Sequence, residues 1–399
     1  MRKLSLVFLS FLPVFTVSAI AFSASPLQPV IHCHTPDPTR DKPQSKVWYA
    51  QGSWWAWLPY GEQGSRVWKR EADGIWQSQV HLEEALAGLP ARADVWAQRP
   101  RIVAALLSGK NLAVAALRWD AIQERYELER KSLSWQENAA VETVTLVREP
   151  SGNFWISYPL DLENSRKVVA RRVSSDLSSL GKKITLATGL YKDEICAVTS
   201  FDSGIGVMWS DQAREAVFFR RHIPTDPDSV WLPTETVASG VKTADDHINF
   251  CVPPQGSGPR LIVATKTSLD SLGEPLLSLR VNSRGRTWMS VPFARLTKRD
   301  HPTRPIVLWY KNRPVVIYSS YGPSSKQQHP NRVLIQSFST DSLKPAKAST
   351  ELIPPTEGLN NVTGPKKAPS DVPLVILASD NEGRVFEALI SDITVGIQD

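Results

Sequence analysis

Sulfur is scarce in this chain, with three cysteines and three methionines in 399 residues. That is too few for a disulfide-built scaffold, and an all-β chain of this length buries a large core without such staples. Runs of like charge are also missing. The excess of 46 basic over 40 acidic residues falls by two without Arg2 and Lys3. The basic residues are scattered along the whole sequence, which excludes a nucleic-acid groove and leaves a weak preference for acidic polymers. Beyond the first two dozen residues no apolar run is long enough to span a membrane as a helix. No Walker loop, Gly-x-Ser-x-Gly elbow, His-Glu-x-x-His or dinucleotide fingerprint occurs. Helical periodicity is limited to Leu82–Leu86, which reads as a surface insertion.

What is present is a unit that recurs at intervals of roughly 45 to 55 residues, the spacing of a propeller blade. Val47–Ala50 turns through Gln51-Gly52-Ser53 into Trp54–Trp57, and Ser65–Arg70 follows. The same plan is seen in Arg101–Leu106 with Leu112–Ala116, in Val144–Val147 with Phe154–Tyr158, and in Cys196–Thr199 with Ile205–Trp209. Leu261–Thr265 with Leu276–Val281, Pro305–Trp309 with Pro314–Tyr318, and Leu374–Ala378 with Arg384–Ala388 complete it. Apolar runs of this length, rich in Val, Ile, Trp and Tyr and broken by Gly, Asn and Pro, carry the turn chemistry of hairpins. The expected fold is all-β, a propeller of seven four-stranded antiparallel blades over residues 46–399, with the N-terminal segment closing the last blade.

Arg2 and Lys3 precede an apolar stretch, Leu4–Ala21, with small residues at Ala19, Ala21 and Ser23, so residues 1–23 read as a secretory signal peptide. The mature protein is then expected outside the cytoplasm, extracellular or periplasmic, without stable membrane insertion and as a monomer. Residues 24–45 carry Pro26, Pro29, Pro36, Pro38 and Pro43 and read as an extended lead-in. His32-Cys33-His34 lacks the spacing of a closed zinc site. Cys196 and Cys251 fall at similar places in adjacent units, and a bridge between them or two buried thiols are equal alternatives. Asn361-Val362-Thr363 is a glycosylation sequon.

In a propeller, the loops that enter the inner strands converge on one face, so polar residues just before those strands share a funnel. This selects Arg92, Asp94, Asp193, Glu194, Asp245, Asp246, His247, Asn249, Arg304, Asn360 and Asn361. Asp245-Asp246-His247 is the densest group. Adjacent carboxylates raise one another's pKa and an imidazole relays protons, so Asp246, His247 and Glu194 are the candidates for catalysis. The same acids have the chemistry of a Ca²⁺ site, the one cofactor considered. Arg92, Asp94, Asp193, Asp245, Asn249 and Arg304 are the candidates for ligand binding, the arginines by offering a donor fork to carboxylates or sulfates. Caps and hydrogen bonds at strand entrances are the structural alternative for all of them.

Fourteen tryptophans are many for this length, and exposed indoles stack on sugars. Trp48, Trp155, Trp209 and Trp309 lie within strand runs and read as packing between blades. Trp54, Trp55 and Trp57 cluster by a turn, where alternation is expected to send Trp55 opposite Trp57 and leave one of them exposed.

Val281-Asn282-Ser283-Arg284-Gly285-Arg286-Thr287-Trp288 resembles the Asp-box of the sialidase superfamily, Ser-x-Asp-x-Gly-x-Thr-Trp, at Gly285, Thr287 and Trp288. Much of the remaining chain is similar to secreted bacterial sialidase-like propellers, through phrases such as Ala91–Trp96, Ile205–Gln212, Ala244–Asn249 and Thr303–Val307. The resemblance implies architecture and export. The arginine triad, Tyr–Glu pair and acid/base Asp of active sialidases have no matching set. The expectation is a secreted, sialidase-like propeller that binds an acidic glycan or similar ligand in its funnel. A glycan-active hydrolase or lyase and an extracellular protein-interaction platform are the alternatives.

Overall fold

The computed structural model describes residues 27–61, 64–202, 204–283, 287–322, 331–346 and 348–391. Residues 1–23, expected from the sequence to be a signal peptide, and Gly285 of the Asp-box-like turn lie outside the described residues.

Seven antiparallel sheets stand in a ring, and the first strands of successive blades touch one another around a central channel. These inner strands are Val47–Ala50, Arg92–Gln98, Thr145–Arg148, Cys196–Phe201, Ile248–Cys251, His301–Tyr310 and Asn360–Thr363. Each blade then meanders outward through three further strands. In blade 3, for example, Phe154–Asp161, Arg166–Val173 and Ile184–Leu190 follow. The outer strand of blade 2 is in two pieces, Arg125–Leu128 and Leu133–Gln136, both paired with Asn111–Asp120.

Middle strands are covered on both sides by neighbouring blades, which is why they read as unbroken apolar runs; Ile102–Leu107 and Leu112–Leu117 are buried throughout. Outer strands face water, as in Trp288–Pro292 and Thr350–Thr356, and the latter tolerates two prolines as an edge strand does. In units 2, 5 and 7 the apolar hairpins picked out from sequence are the second and third strands of their blades. Their inner strands, Arg92–Gln98, Ile248–Cys251 and Asn360–Thr363, mix polar and apolar residues, with no apolar run longer than Val95-Trp96-Ala97.

The ring is closed by the N-terminal segment. Ile31–His32 pairs with Arg384 and Val385 as the outer strand of blade 7. Arg70 of blade 1 forks onto Glu387 of blade 7 at 2.7 and 2.9 Å, and Trp76 Nε1 donates to the same carboxylate at 2.8 Å.

Two expectations are corrected here and one pair of alternatives is decided. Trp54, Trp55 and Trp57 are all buried. Side chains two apart share a face, so Trp55 and Trp57 pack together between blades 1 and 2 while Trp54 packs on the blade 7 side. The helical turn Glu83–Leu86 is no mere surface insertion, because Leu82 and Leu86 are buried between blades 1 and 2. Of the two alternatives for Cys196 and Cys251, buried free thiols hold, as also for Cys33. His32 and His34 flank Cys33 on the surface, with ring centroids 4.3 Å apart. No helix among the described residues is long and apolar enough to cross a membrane.

Candidate functional site

The face from which the inner strands are entered is not an open funnel. Residues 33–46 cross it on their way from the outer strand of blade 7 to the inner strand of blade 1. Prolines deny this stretch a ladder, and left-handed backbone at Asp37 (φ 48°) and Asp41 (φ 92°) folds it into turns rather than the expected extended lead-in. Side chains tie it down around the ring. Asp37 accepts from Asn361 at 3.1 Å and Thr39 bonds Ser379 at 2.6 Å, both in blade 7. Asp41 pairs with Arg92 at 2.9 Å, and Lys42 reaches Asp246 of blade 5. Gln44 donates to the Val144 carbonyl at 2.9 Å. The backbone amide of Ser45 donates to Asp94 at 2.8 Å, and its hydroxyl to the Gly364 carbonyl at 2.5 Å. Lys46, fully buried, donates to Gln44 Oε1 and the Ala93 carbonyl, and burial brings its pKa down to about 8.

The sequence-selected residues sit among these contacts in separate groups. Asp245, Asp246 and His247 do meet: His247 Nδ1 lies 2.8 Å from Asp245 Oδ1 and 2.6 Å from Asp246 Oδ1, and its Nε2 lies 3.3 Å from the Thr303 hydroxyl. Two acceptors at Nδ1 place the ring proton there. Burial pushes the His247 pKa down to about 3 against the pull of Asp245, so the ring is neutral at physiological pH. Lys266 Nζ and the Ser268 hydroxyl bond the other oxygen of Asp245 at 2.6 and 3.1 Å.

Glu194 belongs elsewhere. It is fully buried, and its carboxylate accepts from the Gln212 amide of its own blade. Burial raises its pKa over the bonds from Ser210 and Gln212. Asp193 is exposed, and Asn249 accepts from the Val307 amide at 2.9 Å. Arg304 stands on a bulge of the blade 6 inner strand with φ 51° and donates to Asn360 at 2.7 Å. With Arg40, Lys42, Glu142 and Asn361 it borders a cavity of about 180 Å³. Asn361, the sequon residue, is buried.

Asp245, Asp246 and His247 place one ligand atom each within 4.8 Å of one another, close enough to hold a cation. The ammonium groups of Lys42 and Lys266 already neutralise both carboxylates, so a cation there competes with two ion pairs.

At the opposite end of the inner strands the channel opens as a well of about 770 Å³. Pro43, Gln44 and Ser45 form its floor. This volume falls within the range of small-molecule sites, roughly 300 to 1,000 Å³, and the entrance-face cavity falls below it. Arg148, Lys311, Lys366 and Lys367 line the well, and among its described lining residues Glu149 is the one carboxylate. Glu149 is buried and committed to Arg172 and to Trp155 Nε1. Arg148 Nη1 bonds the neutral Gln98 at 2.6 Å, and the Lys367 ammonium lies 5.0 Å from the centre of the Trp96 ring. Lys366 points inward to Asp94 at 2.5 Å and to the Leu146 carbonyl at 2.7 Å. Sequence reasoning missed this end because it weighed residues before the inner strands and not the turns after them. The pair Lys366-Lys367 following Gly364-Pro365 was the available signal.

Fold and channel together define a seven-bladed β-propeller. No protein family pattern and no curated protein sequence matches the chain. Among solved structures it is similar to an ulvan lyase of a polysaccharide lyase family, bound to -[GlcA(1-4)Rha3S]-, at TM-score 0.54 and 9% identity over 91% of this chain and 96% of that one. It is also similar to a Dyadobacter fermentans protein of unknown function, at 0.47 and 10% over 78% and 96%. A third is a sialidase of Trypanosoma rangeli, at 0.44 and 10% over 76% of this chain and 58% of that one. At these identities the likeness is one of fold.

Proposed function

We propose that this is a secreted propeller that binds an acidic glycan in the well at the exit end of its inner strands. The observation that carries this is the lining: a ligand-sized concavity with Arg148, Lys311 and Lys367 beside a Lys366 already paired with Asp94, a single carboxylate already neutralised, and the indoles of Trp96 and Trp309. Guanidinium and ammonium groups suit carboxylates and sulfates, and an indole beside them suits a sugar ring. The acidic-glycan ligand named for the ulvan lyase agrees with it, as an analogy of fold only. The basic, apolar leading segment supports export, and the protein acts as a monomer without a cofactor.

A glycan-active hydrolase or lyase is the second reading, favoured by a neutral imidazole held between two carboxylates on the entrance face.

The test is a screen of the purified protein against neutral, uronic, sialylated and sulfated glycans, with Arg148→Ala, Lys367→Ala and Arg304→Ala alongside. Binding of acidic glycans lost in the first two and kept in the third supports the exit-end well. Loss in Arg304→Ala alone moves the ligand to the entrance face. Turnover of a bound glycan that His247→Gln abolishes establishes the second reading.

A further inference from the structure

The two cavities on the channel axis share no lining residue, and the chain that separates them is residues 41–45. This stopper is fixed to four blades by side chains: Asp41 to Arg92 of blade 2, Gln44 to the Val144 carbonyl at the start of blade 3, Lys42 to Asp246 of blade 5, and Ser45 to Gly364 of blade 7. Ser45 is also pinned through its backbone amide to the buried Asp94. A channel so stoppered is a blind well. A polymer cannot thread it, and an internal stretch of a polymer can enter only by doubling back within the width of the channel.

From this we infer that the protein recognises a terminal residue of its acidic glycan and not an internal repeat. The inference rests on the ligand proposed above and adds which part of it is read. The terminal sugar enters toward the floor at Gln44 and Ser45, the Trp96 face lies beside the entering ring, and Arg148 and Lys367 meet its acidic substituent. The remainder of the chain leaves through the mouth into solvent. A free terminus fits against the closed floor, whose Gln44 and Ser45 side chains are already bonded to Val144, Lys46 and Gly364, so the floor selects a chain end by shape and the basic lining reads its charge.

The experiment uses a size series of alginate oligosaccharides and a matching series of dextran sulfate oligomers, each in three forms: free, conjugated at the reducing end to a bulky carrier, and capped at the other end. Affinity and stoichiometry are measured by calorimetry on the full mature protein. The expected result is an affinity that stops rising at short length, one protein bound per chain whatever its length, and a loss of about tenfold or more when one particular end is blocked. Stoichiometry that grows with chain length, or equal binding of the free chain and of both singly blocked forms, overturns the inference while leaving acidic-glycan binding standing. Absence of binding by every member of both series removes the ligand and this inference with it.

Discussion

Asp94 and Lys366 are ion-paired at 2.5 Å inside the channel although 272 residues separate them in sequence. The Asp94 carboxylate is fully buried and also accepts from the amides of Ser45 and Leu146, so one side chain joins the stopper, blades 2 and 3 and the first turn of blade 7. Removing one partner of a buried pair costs about 3–5 kcal/mol because the other charge is left uncompensated. Asp94→Ala should lower the urea midpoint accordingly. Asp94→Asn combined with Lys366→Met should recover part of the loss.

Glu387 closes the ring in side-chain terms, accepting three bonds from Arg70 and Trp76 across the junction of blades 7 and 1. Hydrogen bonds to a charged group contribute about 1.5–3 kcal/mol each, so Glu387→Ala should destabilise by at least that amount. Thermal unfolding followed by tryptophan fluorescence measures it, and Glu387→Gln, which keeps an acceptor, should cost less.

Gly383 turns the chain between the second and third strands of blade 7 with φ 84°, and an added Cβ would lie 2.7 Å from the Thr35 carbonyl oxygen. That neighbour is backbone of the closing segment and has little room to yield. Gly383→Ala should cost about 1–3 kcal/mol through strain and overpacking. Limited proteolysis should then cut first near residues 27–36 rather than at the outer loops.

His247 makes the protein acid-sensitive. Its pKa is about 3 in the folded state against an ordinary 6.5, so between those values the unfolded chain holds a proton that the folded site refuses. Stability therefore falls as pH drops from 6.5 toward 3. Asp245, held below the usual carboxylate range despite its burial by His247 and Lys266, extends the loss further into acid. Urea titrations across this window should show a flatter pH dependence for His247→Gln than for the natural chain.

The thiols act at the other extreme. Burial pushes Cys33, Cys196 and Cys251 up to about 12 from 9, so above pH 9 the unfolded chain loses protons that the folded one retains. Stability should fall as pH rises beyond 9. At neutral pH all three should resist iodoacetamide until denaturant is added, and mass spectrometry counts them.

The hairpin repeat made the blades legible because middle strands such as Leu112–Ala116 are apolar on both faces and leave a continuous signature. Inner strands such as Asn360–Thr363 did not, since their polar side chains bond neighbouring side chains and the crossing segment within the channel, as Asn360 does Arg304, Asn361 does Asp37 and Thr363 does the Lys46 amide. Residues flanking the inner strands could still be placed, which is why Asp245, Asp246 and His247 were found together. The stopper was hidden for a different reason. Its partners include backbone carbonyls of Val144 and Gly364, and a carbonyl carries no residue identity. Misplacing Trp55 against Trp57 was an error of period, since residues two apart point the same way.

His32 touches Glu382, 350 residues further along, in the same sheet that holds the last inner strand. As the chain folds, then, the Ile31–His32 strand stays unpaired until the Arg384–Ile390 strand of blade 7 is in place, after the intervening blades have been laid down in sequence. Contacts this distant in sequence are slow to form, and an edge held open exposes the nascent protein to association with other copies. The strand that locks the finished ring is also the one that makes the unfinished ring dependent on whatever shields it.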